Sequence, residues 1–388
     1  MLQTARTSSR GWDGDVGIGQ VKYKDSSLAQ VVEGLSATRI RALIYHNFPK
    51  QAQAVHYSLY SLHIKIRKTT KGFSRPPNSF MPILRSVLIA LSRNSSLRHF
   101  AEDSTLGGRM SSRFVAGTSV EHVLTAAAAV NSHGMATTLD SLGENVHSPE
   151  EAQQAADVYH RLLDAIEQRR LDANVSVKLT QMGMDLDPGL AQTIVTGLVE
   201  HAVAANTFVR IDMEGSDYTQ ATIDMVSRLH AMQGNRGRVG VVIQAYLRRS
   251  AADIDRLLAE GIRIRLCKGA YQEPANLAFP DKAEVDANFI RLMQVLLPSG
   301  VYHGIATHDE KMIEATCRFA RERGIQPDQF EFQMLYGVRR DLQKSLVAAG
   351  YRMRVYIPFG TEWYPYFMRR LAERPANLLF IARNFFRK

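Results

Sequence analysis

From residue 136 onward, short runs of apolar and β-branched residues alternate with longer stretches of helical periodicity. Eight such runs occur, at residues 136–142, 175–180, 208–213, 239–245, 262–267, 302–307, 330–334 and 352–357. A strand followed by a helix, repeated eight times in about 250 residues, is the pattern of a (β/α)8 barrel. The sequence therefore predicts an α/β fold in which eight parallel strands close into a ring.

Helical periodicity fills the intervals between these strands. The predicted helices span residues 150–168, 189–205, 218–232, 251–259, 283–297, 310–323 and 338–348. Before the first strand, two short amphipathic helices are predicted between residues 81 and 112, followed by a helix at 121–130. A last pair at 366–374 and 376–386 would close a TIM-like barrel.

Composition fits one large folded domain. The chain has 388 residues, 45% of them hydrophobic, and no apolar run reaches the roughly 18 to 20 residues of a membrane span. Its two cysteines, Cys267 and Cys317, are too few for a disulfide framework. We expect two buried thiols and a reducing compartment.

The positive charge of the chain is concentrated before residue 81. Residues 1–80 contain twelve Lys or Arg against four Asp or Glu, although the whole chain has a net charge of +10. This argues against nucleic-acid binding by the folded part. The 1–80 segment shows no sustained periodicity and could be a targeting peptide, a basic arm or a spurious extension of the reading frame. We favour the last, with the folded domain at 81–388 beginning at Met81.

Polar residues gather at the predicted carboxyl ends of the strands, where barrel enzymes carry their chemistry. They are Lys178, Asp212, Glu214, Gln244, Arg265, Lys268, Thr307, His308, Gln333 and Tyr356. A desolvated charge is costly unless it is paired or bound to a ligand, so this set predicts an active site. Lys178 and Asp212 follow adjacent predicted strands and could form an ion pair.

Two stretches predict where an anion would bind. In RIRLCKGAYQEP, Arg265 and Lys268 supply positive charge, and the adjacent Gly269 and Ala270 let a ligand approach the backbone. An anionic, planar or phosphorylated ligand would suit this strand end. Arg369 and Arg370, on a helix after the last strand, could bind a carboxylate together with Lys178.

Several other kinds of site find no support in the sequence. His308 has no second His or Cys at ligand spacing, so no metal site is expected. A Gly-x-Ser-x-Gly elbow and a Gly-x-Gly-x-x-Gly loop opening a helix are both missing, which argues against a serine hydrolase and a Rossmann nucleotide site. His308 could still act as a base or as a donor to a phosphate or ribose.

The motifs as a set resemble the single-domain bacterial proline dehydrogenases, which are flavin-dependent (β/α)8 barrels. The resemblance covers residues 81–388 in order and rests on VSVKL, IDMEGS, VVIQAY, IRLCKGAYQEP, IATHDE, FEFQMLYG, RVYIPFG and YPYFMRRLAERPAN. It implies oxidation of L-proline to Δ1-pyrroline-5-carboxylate, with FAD as cofactor and a membrane quinone as electron acceptor. It covers no second enzyme for the next step of proline breakdown.

The same resemblance assigns roles to individual residues. It implies that Lys178, Arg369 and Arg370 bind the proline carboxylate, and that Arg265 lies beside flavin N5. Asp212 would order Lys178 and the flavin edge. FAD would be held by Met213, Gln244, Lys268, Gly269, Ala270, Thr307 and His308. Tyr271 and Tyr356 would pack around the substrate ring, with Glu373 orienting the arginine pair.

Two other functions stay open at this point. Lys178 or Lys268 could form a Schiff base, as in barrel aldolases, although both have charged neighbours that disfavour a neutral amine. Alternatively, residues 1–80 could make the chain a basic nucleic-acid-binding protein. We expect a cytoplasmic enzyme, with peripheral contact at the inner face of the membrane through the Met81 helix or the closing segment.

Overall fold

Eight parallel strands form a closed barrel in the computed structural model, which describes residues 112–271 and 273–373, without the side chains of residues 369–373. The strands are β1 Ala136–Ser141, β2 Ala173–Val177, β3 Val209–Ile211, β4 Val239–Gln244, β5 Arg263–Cys267, β6 His303–Ala306, β7 Phe330–Leu335 and β8 Arg352–Phe359. Each strand pairs in parallel with the next, and β1 pairs with β8 from Ala136 opposite Arg354 to Ser141 opposite Phe359. The predicted (β/α)8 fold is confirmed.

Helices surround the strand ring. They are α1 Val120–Asn131, α2 Pro149–Arg169, α3 Pro188–Ala204, α4 Thr219–Ala231, α5 Ser250–Ala259, α6 Lys282–Leu296, α7 Glu310–Glu322, α8 Arg340–Ala348 and α9 Trp363–Glu373. Over the part of the chain that the structure describes, no helix is long and apolar enough to cross a bilayer. The predictions for residues 1–80, for the helices between 81 and 112 and for the helix at 376–386 lie outside the described residues.

Local sequence explains where α2 begins and ends. The Ser148 hydroxyl accepts a hydrogen bond from the Glu151 backbone N–H at 3.2 Å, and the Glu151 carboxylate accepts one from the His147 N–H at 2.7 Å. Pro149 follows as the first helical residue, where its missing N–H costs nothing. Arg170 then takes a left-handed conformation with φ of 52°, which ends the helix.

The apolar core lies between the strands and the surrounding helices. Strand residues such as Val175 and Ile211 and helix residues such as Leu198 and Phe289 are fully buried there. Alternate positions along each strand point the other way, into the barrel. Apolar packing therefore stabilises the outside of the strand ring and leaves the inside for other residues.

Charged and polar side chains fill the inside of this barrel. Arg265 on β5 hydrogen-bonds Ser176 on β2 and Gln333 on β7, and these strands are not neighbours of β5. The Arg210 side chain on β3 likewise reaches the backbone carbonyl of Arg263 on β5. Such contacts are possible only through the barrel interior, where branched apolar residues are more usual.

The predicted boundaries differ from the observed ones at a few turns. β2 ends at Val177 rather than residue 180, because the chain turns immediately after it and the Met182 N–H donates to the Lys178 carbonyl. Helix α8 begins two residues later than predicted, since Arg339 adopts a left-handed φ of 51°. Both cysteines are free. Cys317 is buried as predicted, whereas Cys267 is only half-buried.

Candidate active site

Arg265 is the centre of the site at the carboxyl ends of the strands. Only 6% of the residue is exposed. Its Nε donates to the Gln333 amide oxygen at 2.5 Å, and its Nη1 donates to Asp212 at 2.8 Å and to the Ser176 hydroxyl at 3.2 Å. The remaining nitrogen, Nη2, is buried and has no hydrogen-bond partner among the described residues. The guanidinium is thus held on two sides and keeps one donor group for a ligand.

Asp212, directly after β3, gathers three donors around its carboxylate. Besides Arg265, the Ser176 hydroxyl donates to it at 2.6 Å and the Tyr356 hydroxyl at 2.8 Å. Burial, followed by the nearby carboxylates of Asp140 and Asp212, raises the pKa of Tyr356 well above its usual value. Tyr356 therefore stays protonated and continues to donate to Asp212.

Lys178 pairs with Asp140, and not with Asp212, which the sequence left open as its partner. Its Nζ donates to the Asp140 carboxylate at 2.8 Å, and both side chains are almost fully buried. Burial opposes the charge on Lys178. The surrounding negative groups, Asp140 first, outweigh it and raise the pKa of Lys178 well above the usual value. The lysine is an ammonium ion, which a Schiff-base nucleophile must not be.

Gln244, the last residue of β4, is fixed by its amide nitrogen. This nitrogen donates to the backbone carbonyls of Met213 and Glu214, both at 3.0 Å. The amide oxygen is buried and without a hydrogen-bond partner within the described structure. The structure therefore brings Met213 and Gln244 together, and the Gln244 amide oxygen remains a free acceptor beside them among the described residues.

Glu214 serves the site as a structural carboxylate. It accepts from the backbone N–H of Thr180 at 3.1 Å and from the Thr180 hydroxyl at 2.6 Å. These bonds connect the turn after β2, which carries Lys178, to the turn after β3. Burial raises the pKa of Glu214.

The segment after β5 combines a paired lysine with an open backbone. Lys268 donates to Asp286 at 2.5 Å and to Asp309 at 2.7 Å. Gly269 has a φ of +105°, and a Cβ atom there would lie 2.1 Å from the Tyr246 ring. Only glycine fits at this position, so the backbone passes close to Tyr246 before reaching Ala270.

The turn after β6 carries Thr307 and His308. The Thr307 hydroxyl accepts from the backbone N–H of Asp309 at 3.1 Å. His308 Nε2 accepts from the backbone N–H of Leu335 at 2.9 Å, so a neutral ring carries its proton on Nδ1. Both predicted residues thus lie on one short turn at the carboxyl end of the barrel.

Helix α9 carries the predicted arginine pair. Its first turns are anchored by Trp363 and Phe367, which are buried and have ring centroids 5.8 Å apart. Arg369, Arg370 and Glu373 belong to this helix, but their side chains lie outside the described part of the chain. Their predicted role in carboxylate binding remains a prediction.

Two residues of the site were missed from the sequence. Asp140 pairs with Lys178, and Ser176 bonds both Arg265 and Asp212. Both lie at inward positions of predicted strands, two residues from other polar inward positions. The period of two along β1 and β2 was the signal that could have identified them.

The fold and the site at the carboxyl ends of the strands, called the mouth of the barrel below, define a class. The protein is a (β/α)8-barrel enzyme with a buried, charge-lined active site. The family model for proline dehydrogenase matches residues 123–383. Proline dehydrogenase 1 from Bacillus subtilis subsp. natto is 41% identical over 308 residues, which cover 79% of this chain and 100% of the relative. Proline dehydrogenase from Deinococcus radiodurans is 42% identical over 275 residues, covering 70% and 88%. The chain therefore belongs to the proline dehydrogenase family and is an oxidoreductase.

Solved structures of larger proteins share the fold. Proline utilization A (PutA) from Bdellovibrio bacteriovorus, inactivated by N-propargylglycine, matches with a TM-score of 0.67 and 26% identity. The match covers 78% of this chain but 38% of that one. The likeness is thus to one part of a longer protein.

Proposed function

We propose that the protein oxidises L-proline to Δ1-pyrroline-5-carboxylate with a bound FAD, as the first step of proline breakdown. Proline oxidation follows from membership in the family. The observation that carries the cofactor assignment is the Arg265 guanidinium, buried, tethered on two sides and left with one unpaired nitrogen.

The residues of the mouth fit a flavin. An isoalloxazine ring has acceptors at N5 and the carbonyl oxygens and a donor at N3. Nη2 of Arg265 offers a buried donor, and the Gln244 amide oxygen offers a buried acceptor. Gly269, where a side chain would collide with Tyr246, lets the backbone approach a ligand closely. We infer that these three residues, with Met213, Ala270, Thr307, His308 and Lys268, hold the cofactor.

Lys268 already has carboxylate partners at the place where a cofactor phosphate would bind. Its ammonium is already paired with Asp286 and Asp309, and the Asp286 carboxylate also pairs with Lys282. A cofactor phosphate would add negative charge beside these carboxylates. Lys268 and Lys282 together supply two cations for these two carboxylates, so Lys268 would share its charge between Asp309 and the phosphate.

The substrate carboxylate would be held by cations at the mouth. Lys178 is kept charged by Asp140 and is almost fully buried, so an anion beside it is attracted with little screening by solvent. We infer that Arg369 and Arg370 complete this carboxylate site. Tyr271 and Tyr356 would pack against the pyrrolidine ring.

The chemistry that FAD would supply when bound is hydride acceptance, with the hydride coming from C5 of proline and a proton leaving the ring nitrogen. These cationic and aromatic side chains orient the substrate and neutralise its carboxylate, which brings C5 to a fixed position. Arg265, which is paired with Asp212, would stabilise negative charge that develops next to it. The product would hydrolyse to glutamate semialdehyde, and a membrane quinone would accept the electrons at a peripheral site on the cytoplasmic face.

The test is the visible spectrum of the purified full-length protein, before and after L-proline is added without oxygen. A flavin spectrum that bleaches on proline and returns on addition of a quinone analogue is the expected result. A flavin that does not bleach would exclude proline as substrate. A protein that is colourless and takes up no FAD would exclude the cofactor, and borohydride trapping of a carbonyl substrate would then support the Schiff-base alternative.

A further inference from the structure

A cavity lies at the opposite end of the barrel from the proposed active site. Its volume is about 530 Å³. Its lining includes Ala173, the first residue of β2, Arg263, the first residue of β5, and Glu331, the second residue of β7. Because all eight strands are parallel, these positions mark the amino ends of the strands. None of the residues assigned to proline or FAD lines this cavity.

Positive charge predominates in the lining. Three carboxylates line the cavity, namely Glu167, Asp172 and Glu331. Five guanidinium groups do so as well, those of Arg170, Arg210, Arg238, Arg263 and Arg354. Arg354 and Glu331 neutralise each other at 2.7 Å. The remaining four arginines face two carboxylates, so the cavity has an excess of cations.

Arg263 is held by aromatic rings rather than by hydrogen bonds. Its guanidinium carbon lies 5.1 Å from the Phe208 ring centroid and 4.8 Å from that of Tyr302. Within the described residues its guanidinium makes no hydrogen bond or ion pair. Stacking fixes the plane of a guanidinium and leaves its in-plane N–H groups available, the geometry that binds oxyanions in bidentate fashion.

Arg210 is a buried arginine with an unused donor. The residue is 4% exposed, and its Nη1 donates to the carbonyls of Val241 at 3.0 Å and Arg263 at 2.7 Å. Its Nε is buried and finds no partner in the described structure. Gly240 on β4 provides the space, because a Cβ there would lie 2.7 Å from Arg210 Nη1.

The lining arginines disfavour one another's charge. Burial, and then the neighbouring Arg265 and Arg263, lower the pKa of Arg210 well below its usual value. Burial also lowers the pKa of Arg263, with Arg354 and Arg238 acting in the same direction. A bound anion would offset this repulsion, whereas water would leave it in place.

We propose that this basic cavity binds a phosphate group, either as inorganic phosphate or as the phosphate of a small metabolite. Arg263 is the principal ligand, Arg210 donates from its buried Nε, and Arg238 closes the site from the loop before β4. Planar guanidinium donors match the tetrahedral oxyanion in spacing and charge. The inference is independent of the proposed function, since a failure here leaves proline oxidation untouched.

Isothermal titration of the full-length, flavin-loaded protein tests the proposal. Inorganic phosphate is titrated at ionic strength held constant with chloride, and glycerol phosphate is titrated in parallel. We expect one saturable site per chain. Arg263→Gln should weaken binding about tenfold or more, as expected for loss of a charge-assisted hydrogen bond, and Arg238→Gln should weaken it in the same direction. Tighter binding of glycerol phosphate than of inorganic phosphate would indicate a metabolite as the ligand.

The matched control is Arg256→Gln, an arginine on α5 that is half-exposed and outside the cavity. It should bind phosphate like the unmodified protein. Equal phosphate affinity in Arg263→Gln, Arg238→Gln and Arg256→Gln would overturn the proposal, as would the absence of saturable binding. Loss of binding in Lys178→Met with binding kept in Arg263→Gln would also overturn it, because phosphate would then occupy the mouth. Proline oxidation by the Arg263, Arg238 and Arg256 variants reports that they have folded, and far-UV circular dichroism does so for Lys178→Met.

Discussion

At the scale of single residues, each buried cation of the site is held by a carboxylate from another strand, Lys178 by Asp140 and Arg265 by Asp212. Arg265, Asp212, Gln333 and Tyr356 were all predicted at the mouth, and the structure joins them by hydrogen bonds. Lys178 was different. β2 lies between β1 and β3, so Lys178 could reach Asp140 on one side or Asp212 on the other. The pattern of residue types in the sequence does not distinguish these two partners. Side-chain direction at the strand end selects Asp140.

This pairing leads to a prediction for Asp140→Asn. The change removes a carboxylate and leaves a buried ammonium without its counterion, so it should lower the free energy of unfolding by about 3–5 kcal/mol. Adding Lys178→Met should recover much of the loss, because no uncompensated charge remains. Urea unfolding of the two variants measures both effects.

The matched control for this pair is Asp224→Asn at the exposed Arg256–Asp224 ion pair, where we expect a loss under about 1 kcal/mol. If Asp140→Asn cost no more than Asp224→Asn, the Lys178–Asp140 pair would have no special importance.

At the scale of helices and strands, the sequence predicted type and order, and local backbone conformation decided the ends. Helix α2 was predicted within one residue at each end, because Ser148, Pro149 and Glu151 form a recognisable start. The start of α8 was missed, since the left-handed conformation of Arg339 has no reliable signal in a non-glycine residue. The end of β2 depends on a hydrogen bond between backbone groups, which any residue can make.

The start of α2 gives a prediction at this scale. Ser148→Ala removes the hydroxyl that accepts from the Glu151 N–H and should lower the free energy of unfolding by about 1 kcal/mol. Ser148→Thr keeps an acceptor at the same place and should lose less. Chemical denaturation of the two variants distinguishes them, and equal stability would mean that the cap contributes nothing.

At the scale of the whole molecule, the sequence predicted the barrel but did not predict the charged side chains in its interior. Eight alternating units imply closure, and the strand ring forms as expected. Arg210, Glu331 and Arg354 lie toward the amino ends of the strands, where no functional site was predicted. A chain of hydrogen bonds connects the two ends of the barrel. Arg354 and Gln333 both donate to the Glu331 carboxylate, and the Gln333 amide oxygen accepts from Arg265.

A buried histidine near the amino end makes stability depend on pH. His303 Nδ1 accepts from the Ile264 N–H at 3.0 Å, and burial, with Arg210 and Arg263 nearby, lowers the pKa of His303 from 6.5 to about 3. In the unfolded chain this histidine takes up a proton as pH falls below about 6.5, while in the folded protein it stays neutral. Its contribution to stability is therefore complete above pH 6.5 and is lost as pH falls toward 3.

Between pH 7.5 and pH 5.5, we therefore expect the free energy of unfolding to fall by about 1.4 kcal/mol more in the unmodified protein than in His303→Asn. In this variant an amide oxygen can replace Nδ1 as the acceptor. Urea unfolding at the two pH values measures the difference. His147→Asn, at an exposed histidine, serves as the control and should follow the unmodified protein. Identical pH dependence in all three proteins would contradict the assignment.

The charged interior also determines how this barrel can change by mutation. In the apolar layer outside the strands, one residue can be exchanged for another of similar volume at small cost. Inside, Glu331 with Arg354 and Asp140 with Lys178 come from neighbouring strands, so neither partner can be replaced alone without leaving a buried charge. Directed-evolution libraries for this interior should therefore vary partners together, and chimaeras should exchange β1 with β2, or β7 with β8, as joined units.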